Sequence, residues 1–196
     1  MFAAIGHNLR NLANFSGRDA RQTFWYYVLA IVILRFVASM AISIPMMAGM
    51  FSGVMSSAQN GVGPDAMSAQ MVGSIGGYLP MMMWTGLVAG VLSSVLLVAS
   101  FVRRLHDSDL SGWWALMPLA IYAAVLARMP GQIARAVEVM NSLAAAPGAR
   151  PDPTVMMRDQ GVWPLLAYVP LLMIIYGGVR SSSSGPNRFG DAPGQF

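Results

Sequence analysis

The chain has 196 residues, of which 56% are hydrophobic and 10% charged, whereas about a quarter of the residues are charged in soluble domains. Its 12 basic residues, all arginine, exceed the 8 acidic residues by a margin too small and too scattered for binding nucleic acid. Cysteine is absent, which excludes disulfides and thiolate chemistry. The composition predicts an all-α integral membrane protein.

Four apolar segments predict transmembrane helices, because about 17 to 25 apolar residues cross the hydrocarbon core of a bilayer. Tryptophan and tyrosine stand at several segment ends, where amphipathic rings favour the headgroup layer. The predicted spans are residues 24–45, 78–102, 113–129 and 162–179. We expect a single membrane domain, with an amphipathic N-terminal segment over 1–23 and a tail over 180–196.

Short amphipathic helices are predicted outside the spans. Apolar residues recur at helical spacing over residues 2–12, which is typical of a helix lying on a membrane surface. The same spacing over residues 133–144 predicts a second interfacial helix, which the segment AAAPGARPDP ends. Residues 56–77, rich in Gly, Ser, Ala and Met, are expected to form a mobile loop.

The arginines predict the orientation, because basic residues are in excess on the cytoplasmic side of a membrane. The loop over residues 56–77 contains none. Seven arginines flank the termini and the loop after the second span: Arg10, Arg18, Arg21, Arg103, Arg104, Arg180 and Arg188. Four occupy the connection between the third and fourth spans: Arg128, Arg135, Arg150 and Arg158. Both termini are therefore predicted to be cytoplasmic.

Arg35 is the one charged residue inside a predicted span. It lies about 16 Å along the helix from Phe24, near the middle of the bilayer. An arginine at that depth costs about 2.5 to 3.5 kcal/mol, and no other span supplies an acidic partner. Two interpretations stay open. Arg35 has a functional role or an arranged partner, or the helix continues past Pro45 and shifts so that the side chain reaches the membrane surface.

Small residues recur every four positions in the second span, at Gly86, Gly90 and Ser94. This spacing lets helix backbones approach closely, which drives helix association in lipid. The contact predicted is with another span of the same chain, and a homodimer is the alternative.

The segment VRRLHDSDLSGWW, residues 102–114, concentrates polar chemistry between two apolar spans. Neighbouring residues such as His106 and Asp107 point in different directions, whereas a catalytic triad needs converging side chains. Two histidines without cysteine leave no recognisable metal-ligand set. We therefore expect no enzyme activity, no metal and no cofactor.

Two other interpretations of this segment remain. In the first it is a turn, in which Arg103 and Arg104 anchor the second span and Asp109 or Ser111 caps the third. In the second, Arg103, Arg104 and His106 bind an anion or a lipid headgroup near the N-terminus of the third helix.

Three ordered elements resemble a bacterial inner-membrane family, domain of unknown function 805. VRRLHDSDLSGWW is similar to its central signature, FSGRDARQTFWYY (15–27) to its opening element, and SSGPNRFGDAP (183–193) to its closing element. The chain departs from the family in two long outer loops and at Asp109 and Leu110. The resemblance implies a multi-pass protein of the bacterial inner membrane, with all three elements on the cytoplasmic face.

These elements define a candidate binding cluster on that face. Its residues are Arg18, Arg21, Arg103, Arg104, His106, Asp107, Asn187 and Arg188. Asp107 is expected to pair with Arg18, Arg21 or Arg188, because a partly buried carboxylate holding a guanidinium in two hydrogen bonds clamps separate segments together.

The function predicted is that of a binding, scaffold or assembly component. Its expected partners are membrane lipids, including anionic headgroups, or another membrane protein or a second copy of the chain. A small transporter or channel subunit is the alternative, and a lipid-modifying enzyme is third.

Overall fold

The structure, a computed structural model, describes residues 1–145 and 161–194. No β-strand occurs within these ranges, so the all-α prediction is confirmed. A 3-10 turn over Gly112–Ala115 leads into the fourth helix. The helices are α1 (Phe2–Arg10), α2 (Arg21–Gln59), α3 (Pro64–Asp107), α4 (Leu116–Ala145), α5 (Trp163–Leu166) and α6 (Val169–Val179).

Three helical segments are long and apolar enough to cross a membrane: Arg21–Gln59, Pro64–Asp107 and Gly112–Leu143. In the most apolar stretch of each segment, only 11%, 28% and 11% of the residues are buried within the protein. Apolar side chains left uncovered in such numbers are typical of helices surrounded by lipid. The segment Trp163–Val179 is apolar but shorter.

The prediction of a mobile loop over residues 56–77 is wrong. α2 continues through Pro45 to Gln59, and α3 begins at Pro64, so only residues 60–63 connect them. Ala, Met and Gln are good helix formers, and their helix propensity outweighs the poor propensity of the glycines and serines in this stretch. Pro45 removes a single backbone donor, and Pro64 stands at the first helical position, where that donor has no partner to lose.

The third span was predicted too short, and the prediction of a separate interfacial helix after it is also wrong. α4 runs past Arg128 and Pro130 to Ala145, so the periodic residues from 133 onward continue the same helix. A lone arginine is a good helix former and does not end a helix. Most of AAAPGARPDP lies outside the described residues, as do Arg150 and Arg158.

The amphipathic helix predicted at the N-terminus is confirmed as α1. It buries Ala4 and Asn8, and it leaves Phe2 81% exposed and Leu9 49% exposed. A large apolar side chain this exposed on a short helix suits a membrane surface.

The described chain divides into two compact units. The first comprises Met1–Arg35, Ala89–Leu126 and Val162–Phe196. Its core is formed by Phe24, Phe101, Val102, Leu105 and Ala115. α6 packs against this core through two glycines. A Cβ added at Gly177 would lie 2.8 Å from the Phe101 ring, and one at Gly178 would lie 2.7 Å from the Trp25 ring.

The second unit comprises Phe36–Val88 and Ala127–Gly161. Within it, the Ser57 hydroxyl donates a hydrogen bond to Gln70. A Cβ added at Gly76 would lie 3.2 Å from the Met140 Cβ, so α3 and α4 approach closely there. This unit holds none of the three signature elements.

Candidate functional site

The three signature elements meet in the first unit, at the C-terminal end of α3. Backbone hydrogen bonds join them: the Asp19 amide donates to the Arg103 carbonyl at 3.1 Å, and the Ser183 amide donates to the Asp107 carbonyl at 2.8 Å. Residues far apart in the chain therefore surround one helix end. Five of them form what we call the Arg/Asp cluster: Arg18, Asp19, Arg103, Arg104 and Asp107.

Asp107 is fully buried and binds two arginines. Its Oδ1 accepts hydrogen bonds from Arg18 Nη2 at 2.9 Å and Nε at 3.2 Å. Its Oδ2 accepts from Arg104 Nη1 and from the Ser182 hydroxyl. The side chains of Arg18 and Asp107 are 1% and 0% exposed. The expected pairing of Asp107 with an arginine of another signature element is confirmed, and Arg18 is that arginine.

Arg18 also holds the C-terminal tail. Its Nη1 donates to the carbonyls of Gly185 at 2.8 Å and Gly190 at 3.2 Å, and its Nη2 donates to the Ser183 carbonyl at 3.1 Å. Gly185 and Gly190 have φ angles of 77° and 126°, which other residues rarely adopt. With the two bonds to Asp107, all five N–H groups of the guanidinium face acceptors within the protein.

Asp19 and Arg103 form a second buried ion pair, with Arg103 Nε 3.1 Å from Asp19 Oδ2. The other Asp19 oxygen lies 3.0 Å from His7 Nε2. Arg103 also donates to Asn8 Oδ1 at 2.7 Å and to the Asn11 carbonyl at 2.8 Å. This pair therefore fastens α1 and the turn after it to α3.

Asp19 and Asn8 were not predicted as site residues from the sequence. The signal available for Asp19 was charge, because the predicted cluster contained five arginines and a single acid, Asp107. Asp19 lies in the opening element between Arg18 and Arg21, where it supplies a second carboxylate.

Arg104 closes the end of α6. Its Nε donates to the Gly178 carbonyl at 3.3 Å and its Nη2 to the Arg180 carbonyl. The last carbonyls of a helix lack partners within it, and a buried arginine satisfies them. Burial lowers the pKa of the Arg104 guanidinium, and the Asp107 carboxylate opposes that change. Arg104 is therefore a structural cation at the centre of the unit.

His106 is oriented by the first and last signature elements. Its Nδ1 lies 3.2 Å from the Gly17 carbonyl, and its ring stacks on Phe189 with centroids 3.8 Å apart. Burial lowers the pKa of the imidazole, which favours the neutral ring at neutral pH. Asn187 Nδ2 donates to the His106 carbonyl at 2.9 Å. Both side chains thus fix the tail against the central loop.

The side-chain cap expected at the start of the third span is absent. Ser111 is the N-cap residue of the 3-10 turn, but its side chain makes no capping hydrogen bond. Asp109 instead lies 3.3 Å from Arg188 Nε in an exposed pair. With a φ of 55°, Asp109 turns the chain out of α3, and its carboxylate is directed to the tail.

Two arginines stay exposed beside the cluster. Arg21 Nη2 donates to the Arg180 carbonyl at 3.3 Å, and Arg180 Nη1 donates to the Tyr176 hydroxyl at 2.8 Å. Arg21 borders an open cavity of about 540 Å³, lined also by Arg18, Ala20, Gln22, Trp25, Ser182, Ser183, Ala192 and Pro193. The candidate binding cluster predicted from the sequence did not include Arg180, although this residue directly follows the fourth apolar segment.

The small residues of α3 have different surroundings. A Cβ added at Gly90 would lie 2.5 Å from the Tyr122 hydroxyl and 3.6 Å from Leu126, so Gly90 admits α4 of the same chain. A Cβ at Gly86 would meet nothing within 4 Å. The Ser94 hydroxyl donates to the Gly90 carbonyl of its own helix.

No match was found among curated proteins or solved structures. One protein family does match, over residues 12–191, and it carries the description Protein of unknown function (DUF805). The matched range contains the opening and central elements, all but the last two residues of the closing element, and every residue of the Arg/Asp cluster. A match over nearly the whole chain shows membership, and the protein belongs to the DUF805 family.

Proposed function

We propose that this protein is a multi-pass component of the bacterial inner membrane that binds an anionic lipid headgroup at its cytoplasmic face, and that it is not an enzyme. The observation that carries this proposal is the pair of exposed arginines at the ends of α2 and α6, Arg21 and Arg180, of which Arg21 borders an open cavity and donates to the Arg180 carbonyl. The Arg/Asp cluster acts as the rigid base that positions them.

The donors of these two arginines support the assignment. A guanidinium has five N–H groups, and Arg21 uses one of them within the described residues. Arg180 likewise donates once, to Tyr176, and its guanidinium lies 5.9 Å from the centre of that ring. Two neighbouring arginines with unused N–H donors can bind a phosphate, because a phosphate accepts paired hydrogen bonds from a guanidinium group.

The aromatic residues around the pair support a location at the depth of a headgroup. Trp25 Nε1 donates to the Gly178 carbonyl at 3.1 Å, and Tyr176 lies against Arg180. Amphipathic rings favour the boundary between acyl chains and headgroups, which is where a lipid phosphate lies. Buried cluster cations are too enclosed for that role: Arg103 and Arg104 are 2% and 0% exposed.

Four spans with cytoplasmic termini are part of this proposal, and labelling of single cysteines tests them. The chain has no native cysteine, so each introduced thiol is unique. In intact spheroplasts a membrane-impermeant maleimide should label Asn60→Cys and should leave Asp109→Cys and Ser184→Cys unlabelled until lysis. All three positions are exposed in the structure. Labelling of Asp109→Cys from outside would contradict the topology, as would an external reporter fused at Phe196.

Lipid titration tests the binding site itself. Full-length protein in phosphatidylcholine nanodiscs should bind phosphatidylglycerol saturably, and the Arg21→Ala/Arg180→Ala double variant should bind about thirtyfold more weakly, since each cation near an anionic surface contributes about 1 kcal/mol. Native mass spectrometry counts the bound lipid.

Arg10→Ala is the matched control, because Arg10 is an exposed cation at the end of α1. It should leave the affinity unchanged. Equal losses in the control and in the double variant would mean diffuse attraction rather than a site. A defined protein that co-purifies in stoichiometric amount while phosphatidylglycerol does not bind would favour the scaffold role.

A further inference from the structure

The first unit contains a second cavity, of about 270 Å³, formed by residues of α2, α3, α4 and the fourth apolar segment. Its walls are mostly apolar, with Leu97, Phe101, Pro118, Leu171 and Ile174 among them. The polar side chains at its lining are Arg35, Ser93, Ser94 and Tyr122. None of the residues that line this cavity belongs to the three signature elements, so the cavity is separate from the proposed headgroup site.

Two hydrogen-bond donors in this cavity have no partner among the described residues. Ser93 and Ser94 donate to the carbonyls of Ala89 at 2.7 Å and Gly90 at 3.0 Å, within their own helix. Arg35 and Tyr122 donate to no described residue. The missing side chain of Gly90 makes room for the Tyr122 hydroxyl, since a Cβ there would lie 2.5 Å from it. The cavity therefore presents a guanidinium and a phenol together.

No acidic residue in the part of the chain that the structure describes forms an ion pair with Arg35. No acidic residue occurs between Asp19 and Asp65 or between Asp109 and Glu138, and the apolar segments hold none. A cation in apolar surroundings requires an anion or a route to water. An anionic ligand that enters this cavity would supply the missing charge.

The lining restricts the chemistry of that ligand. A carboxylate accepts two hydrogen bonds from a guanidinium and a third from a phenol, so these two side chains can satisfy it. A glycerophosphate headgroup carries glycerol and ester oxygens in addition to the phosphate, and burying any of these without a partner is costly. The apolar walls suit a single hydrocarbon chain. A hydrocarbon chain gains little by moving from the lipid into the cavity, because both are apolar. The ion pair with Arg35 therefore accounts for the preference of the ligand for this site.

We propose that this cavity binds a long-chain fatty acid, with its carboxylate on Arg35 and Tyr122 and its chain along α3 toward Phe101. This site goes beyond the headgroup function and shares no residue with Arg21 and Arg180. Either can therefore fail without the other.

Photolabelling tests the proposal. Full-length protein in phosphatidylcholine nanodiscs is irradiated with a diazirine analogue of palmitate, and the labelled peptides are identified by mass spectrometry. Labelling should be saturable, should fall on peptides that contain cavity residues, and should be displaced by palmitate but not by methyl palmitate, which lacks the charge. Arg35→Leu should reduce it at least about tenfold and Tyr122→Phe severalfold, because charged hydrogen bonds are the stronger ones. The control Arg10→Leu should label normally.

Undiminished labelling of Arg35→Leu would overturn the proposal, and so would displacement by methyl palmitate as efficient as by palmitate. Displacement by phosphatidylglycerol but not by palmitate would assign the cavity to a phospholipid instead. If Arg35→Leu does not insert, Tyr122→Phe decides, because it keeps both the ring and the charge. Normal labelling of a folded Tyr122→Phe protein would then rule out the carboxylate site.

Discussion

Replacing Asp107 with alanine is expected to lower the free energy of unfolding of the detergent-solubilised protein by about 3 to 5 kcal/mol, because it leaves buried guanidinium groups without their counter-ion. Asp107 accepts hydrogen bonds from Arg18, Arg104 and Ser182, and its side chain is fully buried. Chemical unfolding in mixed micelles, followed by tryptophan fluorescence, measures the change.

Asp109→Asn, two residues away, is the matched control, because it removes the charge and asparagine tolerates the φ of 55° at this position. The side chains of Asp109 and Arg188 are 56% and 61% exposed, and such a pair contributes about 0 to 1 kcal/mol. Equal losses in the two aspartate variants would contradict a special role for the buried carboxylate.

A double-mutant cycle identifies the partner. Combining Asp107→Ala with Arg18→Met should cost less than the sum of the single changes, by about 0.5 to 3 kcal/mol, as expected for residues in direct contact. Combining Asp107→Ala with Arg188→Met should be additive, since Arg188 pairs with Asp109 instead. An additive Arg18 cycle would show that the ion pair does not clamp the signature elements.

Replacing Arg103 with methionine should detach the N-terminal segment. The variant strands the Asp19 carboxylate and removes hydrogen bonds to Asn8, Asn11 and Asn14. A loss of about 3 to 5 kcal/mol should accelerate amide exchange over residues 2–14 by about a hundredfold or more, since 1.4 kcal/mol corresponds to a factor of ten. Hydrogen exchange with mass spectrometry resolves this segment from the rest.

The control for this experiment is Arg10→Met, which removes an exposed cation from α1 without touching the cluster. Its exchange over residues 2–14 should match that of the unmodified protein. Unchanged protection in Arg103→Met would mean that the apolar contacts of α1 hold the segment without the ion pair.

Composition and local pattern were enough to predict several features. An apolar chain with so few charges cannot form a water-soluble core, so long apolar helices followed from composition. The helical spacing of apolar residues in α1 could be recognised in the sequence, because it depends only on residues close together in the chain. An ion pair between Asp107 and an arginine of another signature element was also predictable, because those elements hold several arginines.

Helix ends were less predictable. The first connection, rich in Gly and Ser, resembled a loop, yet residues 56–59 and 64–77 are helical. Within long helices, neighbouring turns and tertiary contacts outweigh the weak individual propensities of such residues. α4 passed Arg128 for the same reason.

The sequence by itself determined the membrane-like helices, the three signature elements and the family to which they belong. Only the tertiary structure decided which arginine binds Asp107, because Arg18, Arg21 and Arg188 are chemically equivalent until the backbone places them. It also decided that Asp19 shares the buried charge with Asp107, and that Arg21 and Arg180 leave most of their N–H donors without partners among the described residues. Arg35 and Tyr122 are far apart in the chain, and they line one cavity only because helix packing, which depends on distant side chains, brings α2 and α4 to the same place.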